Sequence, residues 1–282
     1  MASLSEVLAN KKASNVDQVS TLPRARQPEG RQTLGAISYT QTRVLTLNRT
    51  ILRENRIISA LAGEPVVDAY KILCIQVLQQ LRASAGNAVA IVSPGDDEGK
   101  TLTAVNLAIS LAQEVDQTVL LVDANLRDPA IHKYFGFRPE VGLSSYLIDG
   151  VSVEQLLINP GIDRLVVLPG GRPLQNSTEM LGSIKMATLV TELKSRYPSR
   201  IVLFDLPPVL SIADALAFAP YVDAALMVVQ ENKTSRAEIQ RAAEMLKGVR
   251  LLGTVLNMAA EAAVPEEDVS TSWWRRLLGK RQ

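Results

Sequence analysis

The sequence predicts an α/β fold in which helices cover both faces of a doubly wound, mostly parallel sheet. Six short aliphatic runs recur along the chain, and most are separated by segments long enough for a helix, as at 103–115 and 235–247. Each run is apolar at successive positions, so its strand would bury both faces, as strands of parallel sheets do. The runs are residues 88–92, 118–122, 164–168, 200–204, 224–229 and 253–256.

An amphipathic helix is predicted to begin at Pro65, ahead of the first aliphatic run. Residues 1–50 show neither helical nor strand periodicity and are predicted to be a disordered or extended arm. Residues 51–260 are expected to form one folded domain, and residues 261–282 a tail. The apolar face of the helix is predicted from the spacing of Val66, Tyr70, Leu73, Val77 and Leu81.

Composition excludes several classes of function. Lys and Arg number 30 against 29 Asp and Glu, a net charge of +1 that gives no global attraction to nucleic acid. The single cysteine, Cys74, excludes an intramolecular disulfide and a cysteine metal cluster, and the single histidine, His132, argues against a histidine metal centre or a Ser-His-Asp triad. Neither a secretory leader nor an apolar stretch of about 20 residues is evident, so a cytoplasmic location is expected.

The strongest chemical signal is the loop Ser93–Thr101, which lies between an aliphatic run and a helical pattern. Its Gly-Lys-Thr ending is typical of a phosphate-binding P-loop, in which backbone N–H groups, Lys100 and the Thr101 hydroxyl hold nucleotide phosphates and Mg²⁺. The loop deviates from the usual pattern, because Pro94 stands where the first glycine belongs and Gly95 follows one place late. Its three consecutive acids, at 96–98, are unfavourable beside a polyphosphate unless their side chains turn away or Mg²⁺ offsets their charge.

Two further carboxylates end aliphatic runs. Asp123 follows VLLV and Asp205 follows IVLF. Because the carboxyl ends of parallel strands converge on the ligand crevice, both are expected beside the P-loop, where a Mg²⁺ site and a catalytic base belong.

Several motifs in order resemble the bacterial tyrosine kinases known as BY-kinases, which are P-loop NTPases with deviant Walker motifs. IVLFDLPPV is similar to their Walker B strand, and TVLLVDANLRDP to their second acidic motif, Walker A′. VVLPGGRPLQNSTEML, PVVDAYKILCIQVL and GTVLN match further family segments, so the likeness covers about residues 60–260. The arm segment at 39–43 reads Tyr-x-x-Thr-Arg, as in kinases encoded with exopolysaccharide chain-length determinants.

The resemblance implies an ATP-dependent tyrosine kinase that regulates exopolysaccharide or capsule synthesis together with a membrane co-polymerase, and that is recruited to the inner face of the cytoplasmic membrane. It implies catalytic roles for Lys100, Asp123 and Asp205. Mg²⁺ would be held by Thr101 and these two aspartates. The expected contacts to ATP or ADP are Gly95, Asp97, Glu98, Gly99, Lys100, Thr101, Leu102 and Asn257.

Departures from the family pattern predict weakened autokinase activity. Asn125 stands where Walker A′ carries a second aspartate, and an amide has no charge and accepts no proton at neutral pH. In the helix that mediates ring assembly, Asp68, Lys71 and Cys74 replace Glu, Arg and Arg, which puts ring formation in doubt. Residues 222–282 contain no tyrosine, whereas the family carries a C-terminal tyrosine cluster.

Two alternatives stay open at this point. One is a membrane-associated partition or septum-positioning ATPase, although Gly95 occupies the place of its signature lysine. The other is a nucleotide-binding interaction module without turnover. The tail sequence WWRRLLGKR is a candidate for contact with a membrane surface, and a homo-oligomer is a further possibility.

Overall fold

One eight-stranded sheet forms the centre of the described unit. A computed structural model describes residues 42–46, 48–57, 65–114, 116–196 and 199–259, all within one compact unit. The strands are β1 (Arg43–Val44), β2 (Ala88–Val92), β3 (Thr118–Asp123), β4 (Ile158–Asn159), β5 (Leu165–Leu168), β6 (Arg200–Asp205), β7 (Ala224–Gln230) and β8 (Arg250–Asn257).

The sheet order is β1-β4-β5-β3-β6-β2-β7-β8, and only the β4–β5 pair is antiparallel. The predicted doubly wound, mostly parallel α/β fold is therefore confirmed, and each of the six aliphatic runs forms a strand. The two-residue strands β1 and β4 carry no aliphatic run and were not predicted. They extend the sheet at one edge.

Ten α-helices connect the described strands, together with a short 3₁₀ turn at Ala219–Tyr221. The predicted helix at Pro65 forms, as do those within 103–115 and 235–247; the last begins with a capping box between Ser235 and Glu238. The helices are α1 (Arg49–Glu54), α2 (Pro65–Ser84), α3 (Lys100–Gln113), α4 (Ile131–Phe135), α5 (Leu143–Asp149), α6 (Val153–Leu156), α7 (Ser177–Leu181), α8 (Ile184–Ser195), α9 (Asp214–Phe218) and α10 (Arg236–Met245).

Apolar side chains pack on both faces of the sheet. Along β2, Ala88, Ala90 and Val92 join the layer that includes α8 residues, whereas Val89 and Ile91 join the layer formed with α2 and α3. Both layers are mainly aliphatic, as the low aromatic content requires. The expectation that every run is buried on both faces is wrong for β8, which is an edge strand and leaves Leu256 57% exposed.

Helix α2 shows how the core places the predicted assembly residues. Cys74, Val77 and Leu81 are buried, and burial raises the pKa of the Cys74 thiol to about 12. Asp68 and Lys71 lie on the exposed side and pair with each other at 3.0 Å. The position that carries the second arginine in the family therefore faces the core here, where a small thiol fits.

The predicted boundary near residue 50 falls inside ordered structure. Strand β1 pairs with β4, and α1 begins at Arg49. The division into arm, domain and tail stays a prediction, because most of the arm and the whole tail lie outside the described residues. In the part of the chain that is described, no helix combines the length and apolarity needed to cross a bilayer.

Gly142 offers a test of the packing beside the sheet's carboxyl edge. A Cβ there would lie 2.3 Å from the Gly171 nitrogen and 2.5 Å from the Pro169 oxygen, both backbone atoms. Gly142→Ala is therefore expected to lower the free energy of unfolding by about 1–3 kcal/mol. Chemical denaturation measures the loss, with Gly248→Ala as control because a Cβ at Gly248 meets no atom within 4 Å. Equal stability of the two variants would contradict this packing.

Candidate nucleotide site

The P-loop connects β2 to α3. Its last glycine, Gly99, cannot be replaced by another residue unless neighbouring atoms shift. Gly99 has φ +85°, in the left-handed region, and a Cβ on it would lie 2.0 Å from Asn257 Nδ2. Its carbonyl accepts the first helical bond, from Thr103 N, at 2.9 Å. Lys100 is thus the first residue of α3, where backbone N–H groups attract anions.

Three predicted residues meet at the start of this helix. Thr101 Oγ1 donates a hydrogen bond of 2.7 Å to Asp205 Oδ2. Lys100 Nζ lies 3.3 Å from Thr101 Oγ1 and 3.9 Å from Asp205 Oδ1. The structure therefore brings Lys100, Thr101 and Asp205 together, as the sequence predicts.

Asp123 completes this group from the neighbouring strand. It is the register partner of Asp205 in the β3–β6 pair, and both side chains are fully buried. Asp123 Oδ2 accepts N–H groups of Ala130 at 2.9 Å and Ile131 at 3.0 Å. The other oxygen, Oδ1, has no hydrogen-bond partner, and the same holds for Asp205 Oδ1.

Burial raises the pKa values of both carboxyls. Loss of solvation raises the pKa of Asp123 to about 7, and the adjacent Asp205 adds to the rise, against the two N–H bonds and the Lys100 charge. The pKa of Asp205 is likewise raised by burial, against Lys100 and the Thr101 hydrogen bond. Their protons are lost in steps that belong to the pair. At neutral pH this pair can take up a proton.

The residues present suit a magnesium ion shared with a nucleotide. Asp123 Oδ1 and Asp205 Oδ1 are buried without hydrogen-bond partners, and the Thr101 hydroxyl bonds the other oxygen of Asp205. Magnesium binds through one or two carboxylates plus substrate phosphates and water. Among the described residues no cluster of three or more His, Cys, Asp or Glu side chains could hold a metal unaided. Thr101, Asp123 and Asp205 would hold the ion only together with a phosphate chain.

Asn125 lies in the loop after β3 and is 8% exposed. Its Oδ1 accepts the Asp128 N–H at 3.5 Å, the long limit of a hydrogen bond. Neither Asp96 nor Asp97 forms a hydrogen bond at Asn125 that would supply the carboxylate which the family carries at this position. Asp96 Oδ2 instead accepts from Ser211 Oγ at 3.3 Å, and Asp97 is exposed.

The third P-loop acid, Glu98, turns into the interior. Its side chain is 3% exposed, and Oε1 accepts a 2.6 Å hydrogen bond from Thr234 Oγ1. Burial raises its pKa, although the Thr234 hydrogen bond opposes the rise. Its carbonyl accepts Asn257 Nδ2 at 2.9 Å, so Asn257 secures the P-loop. The nucleotide contacts predicted for Glu98 and Asn257 remain predictions.

A cleft of about 340 Å³ opens in front of the P-loop. Five predicted residues line it. Gly95 is not among the lining residues, and its carbonyl accepts a hydrogen bond from Ser93 Oγ at 2.7 Å. A larger cavity, of about 870 Å³, includes Asn87, Gln117 and Arg200 near the amino ends of the strands. Ligands of α/β sheets bind at the carboxyl ends, so the smaller cleft is the candidate site. Its predicted lining residues are Asp97, Gly99, Lys100, Thr101 and Leu102.

Five more residues of the cleft were not predicted. Residues 54–56 form the end of α1 and the turn after it, between the predicted arm and the predicted helix at Pro65. Tyr134 comes from α4 and Met258 follows β8. No pattern in the sequence marks any of them, because only tertiary packing carries them to the P-loop.

The fold and the site together define a P-loop nucleotide-binding protein. Residues 66–258 match the family model described as AAA domain. The tyrosine-protein kinase YwqD of Bacillus subtilis is 37% identical over 172 residues, which cover 60% of this chain and 71% of that protein. The chain therefore belongs to the bacterial tyrosine-protein kinase family.

Solved structures give the same fold. The kinase domain of the Escherichia coli tyrosine kinase ETK matches with a TM-score of 0.69 and 24% identity, covering 82% of this chain and 92% of that one. The septum site-determining protein MinD of Pyrococcus horikoshii, solved with Mg-ADP, matches with a TM-score of 0.55 and 22% identity, covering 63% and 72%. At these identities the likeness concerns the fold.

The buried Glu98–Thr234 contact predicts a stability effect. Thr234→Val removes the hydroxyl that bonds Glu98 and that accepts the Gln230 N–H at 2.9 Å. The free energy of unfolding should fall by about 1–3 kcal/mol. Because the pKa of Glu98 would rise further, the loss should be larger at pH 8 than at pH 5. Urea denaturation at both pH values measures it. Thr234→Ser keeps the hydroxyl and should lose less; an equal loss would contradict the hydrogen-bond explanation.

The raised pKa of Asp123 predicts that Asp123→Asn stabilises the nucleotide-free protein, by an amount that depends on pH. The folded pKa of about 7 lies above the ordinary 3.8, so between these values the folded protein holds a proton that the unfolded chain has lost. Wild-type stability from this group therefore falls as pH rises through that window. Asp123→Asn should be more stable than wild type at pH 8 and about equal at pH 4.

Thermal and urea unfolding at the two pH values check this prediction. Asp128→Asn is the matched control, because the Asp128 side chain is 80% exposed in the same loop region. Asp128→Asn should show no gain in stability at pH 8. A destabilised Asp123→Asn at pH 8 would mean that the Asp123 carboxylate is ionised and well satisfied in the folded protein.

Proposed function

We propose that the protein is an ATP-dependent tyrosine kinase of bacterial type with weakened autokinase activity. The observation that carries this proposal is the pair Asp123 and Asp205, fully buried beside Lys100 and Thr101 with a raised pKa. Phosphoryl transfer needs charge neutralisation at the phosphates and a carboxylate that takes the acceptor proton. The kinase names of the relatives support the reaction class.

Each side chain has a role in this proposal. Lys100 and the N–H groups at the start of α3 neutralise the phosphate chain. Thr101 and Asp205 would hold a magnesium ion together with the phosphate chain, and the ion would supply further charge neutralisation. Asp123 accepts the proton of the tyrosyl hydroxyl, while the bond from the γ-phosphorus to ADP breaks and the bond to the tyrosyl oxygen forms.

Asn125 supports the weakened activity. It is a buried amide in the loop that carries a second acid in the family, and the nearby P-loop acids bond elsewhere or are exposed. The site therefore holds one negative charge fewer for the metal. Residues 222–282 contain no tyrosine, so none of the usual acceptors lies within them.

The cellular setting belongs to the same proposal. The likeness to kinases encoded with chain-length determinants supports action in exopolysaccharide or capsule production, at the inner face of the membrane with a co-polymerase. The buried Cys74 occupies the position of the second arginine in the family's assembly helix. Homo-oligomerisation through α2 would therefore need other contacts. Contact of the tail with a membrane surface remains a prediction, because the tail lies outside the described residues.

Transfer of the γ-phosphate to tyrosine by the full-length protein tests the proposal. Slow transfer is expected in wild type and none in Lys100→Ala. Asn125→Asp should raise the rate at least tenfold, because it restores a carboxylate beside the metal. Asn232→Asp makes the same change at an exposed position outside the cleft lining and should leave the rate unchanged.

The outcomes separate the candidate functions. Rapid transfer by wild type, with no gain in Asn125→Asp, would contradict the weakened activity. ATP hydrolysis without phosphotyrosine would favour an ATPase of the partition type, whose fold the MinD match shares. Retained ADP without any turnover would favour an interaction module. Absence of nucleotide binding would refute the proposed function as a whole.

A further inference from the structure

The nucleotide cleft contains a second cation, Arg56, which comes from the segment before the P-loop domain's first long helix. Arg56 follows α1, and its side chain lines the cleft together with Lys100 and Thr101. The side chain is exposed, and among the described residues its guanidinium has neither a hydrogen bond nor an ion pair. It is therefore available to an anion that enters the cleft.

The backbone around Arg56 is held on both sides by the core. Asn106 on α3 is fully buried and donates from Nδ2 to the Arg56 carbonyl at 3.2 Å. The next residue, Ile57, is fully buried, and its N–H bonds the carbonyl of the buried Leu52 at 2.8 Å. Because α3 is the P-loop helix, the backbone of Arg56 is fixed relative to the phosphate site.

The neighbouring segment is fastened to α4 as well. Asn55 Nδ2 donates to the carbonyls of Lys133 at 3.1 Å and Tyr134 at 3.0 Å. Ile51 packs so closely on Gly136 that a Cβ there would lie 2.6 Å from Ile51 Cδ1. Two helices that flank the cleft thus hold α1 in place, and the position of Arg56 follows from both.

Left-handed backbone conformations collect at this cleft. Among the described residues, six that are not glycine have positive φ, and three of the six line the cleft. They are Arg56 at +56°, Asp97 at +58° and Met258 at +55°. Such conformations persist only where surrounding structure enforces them, and they concentrate at ligand-binding sites.

The net charge of the cleft lining depends on Arg56. Two cations, Arg56 and Lys100, face two carboxylates, Glu54 and Asp97, so the lining side chains sum to zero. Without Arg56 the sum would be −1, which opposes a phosphate chain. A guanidinium binds phosphate oxygens through two parallel hydrogen bonds and stays charged at all relevant pH values.

We infer that Arg56 is a nucleotide-binding residue that contacts the phosphate chain of ATP or ADP as the second cation beside Lys100. The assignment rests on the proposed nucleotide-binding function and extends the site to residues 48–57. It also explains how a P-loop with an exposed acid at its tip accepts an anionic ligand.

Titration calorimetry of the full-length protein with Mg-ADP tests the assignment. Arg56→Asn removes the charge and retains a residue that tolerates positive φ. We expect its affinity to fall at least tenfold and to depend less on salt concentration. The affinity of Arg56→Lys should fall less, because lysine keeps the positive charge but loses the paired N–H donors of the guanidinium. Arg53→Asn removes an exposed charge from α1 outside the cleft lining and should stay within twofold of wild type.

The possible results are distinguishable. Equal affinity in wild type, Arg56→Asn and Arg53→Asn overturns the role of Arg56 while leaving the proposed function intact, provided Lys100→Ala abolishes binding. Equal losses in Arg56→Asn and Arg53→Asn also overturn it, because they reflect only the general charge of α1. A wild-type protein that binds no Mg-ADP refutes the proposed function itself. Melting temperatures within about 2 °C of wild type establish that each variant is folded.

Discussion

Two buried carboxylates on neighbouring strands constrain everything around the nucleotide site. Asp123 and Asp205 are paired in register at the carboxyl edge of the sheet, where neither reaches solvent. Charged groups in such a place need compensation, which Thr101, Lys100 and two backbone N–H groups provide in part. The P-loop helix must therefore pack against β6 and the loop after β3 must fold back on Asp123. The same burial moves the pKa of Asp123 into the range where it exchanges protons at neutral pH.

The sheet and the P-loop at its carboxyl edge were predictable because their signals are local. Aliphatic runs mark strands by themselves, and the Gly-Lys-Thr ending of the P-loop marks the start of a helix. Strand β1 and helix α1 have no such signal. β1 pairs over only two residues, and α1 is held by Leu52 and Asn55 against distant helices. Sequence patterns therefore do not predict the part of the cleft that the α1 segment supplies, including Arg56.

The three consecutive acids of the P-loop also show what a local sequence pattern leaves undetermined. The sequence indicates that their charge must be moved away or offset, and the structure does this differently for each. Asp96 bonds Ser211, Glu98 is buried against Thr234, and Asp97 stays at the cleft. Backbone direction decides among these arrangements, and a run of identical charges carries no information about direction. The acidic run therefore does not by itself predict the burial of Glu98.

The bond between Asn257 and the Glu98 carbonyl ties the phosphate loop to an edge strand. Asn257 is the last residue of β8, and its own carbonyl accepts the Glu231 N–H at 3.0 Å, directly after β7. The same side chain lies so close to Gly99 that a Cβ there would be 2.0 Å from Asn257 Nδ2. A displacement of β8 relative to the P-loop would therefore break the bond to Glu98 or deform the loop, so the edge of the sheet and the shape of the phosphate loop are mechanically coupled.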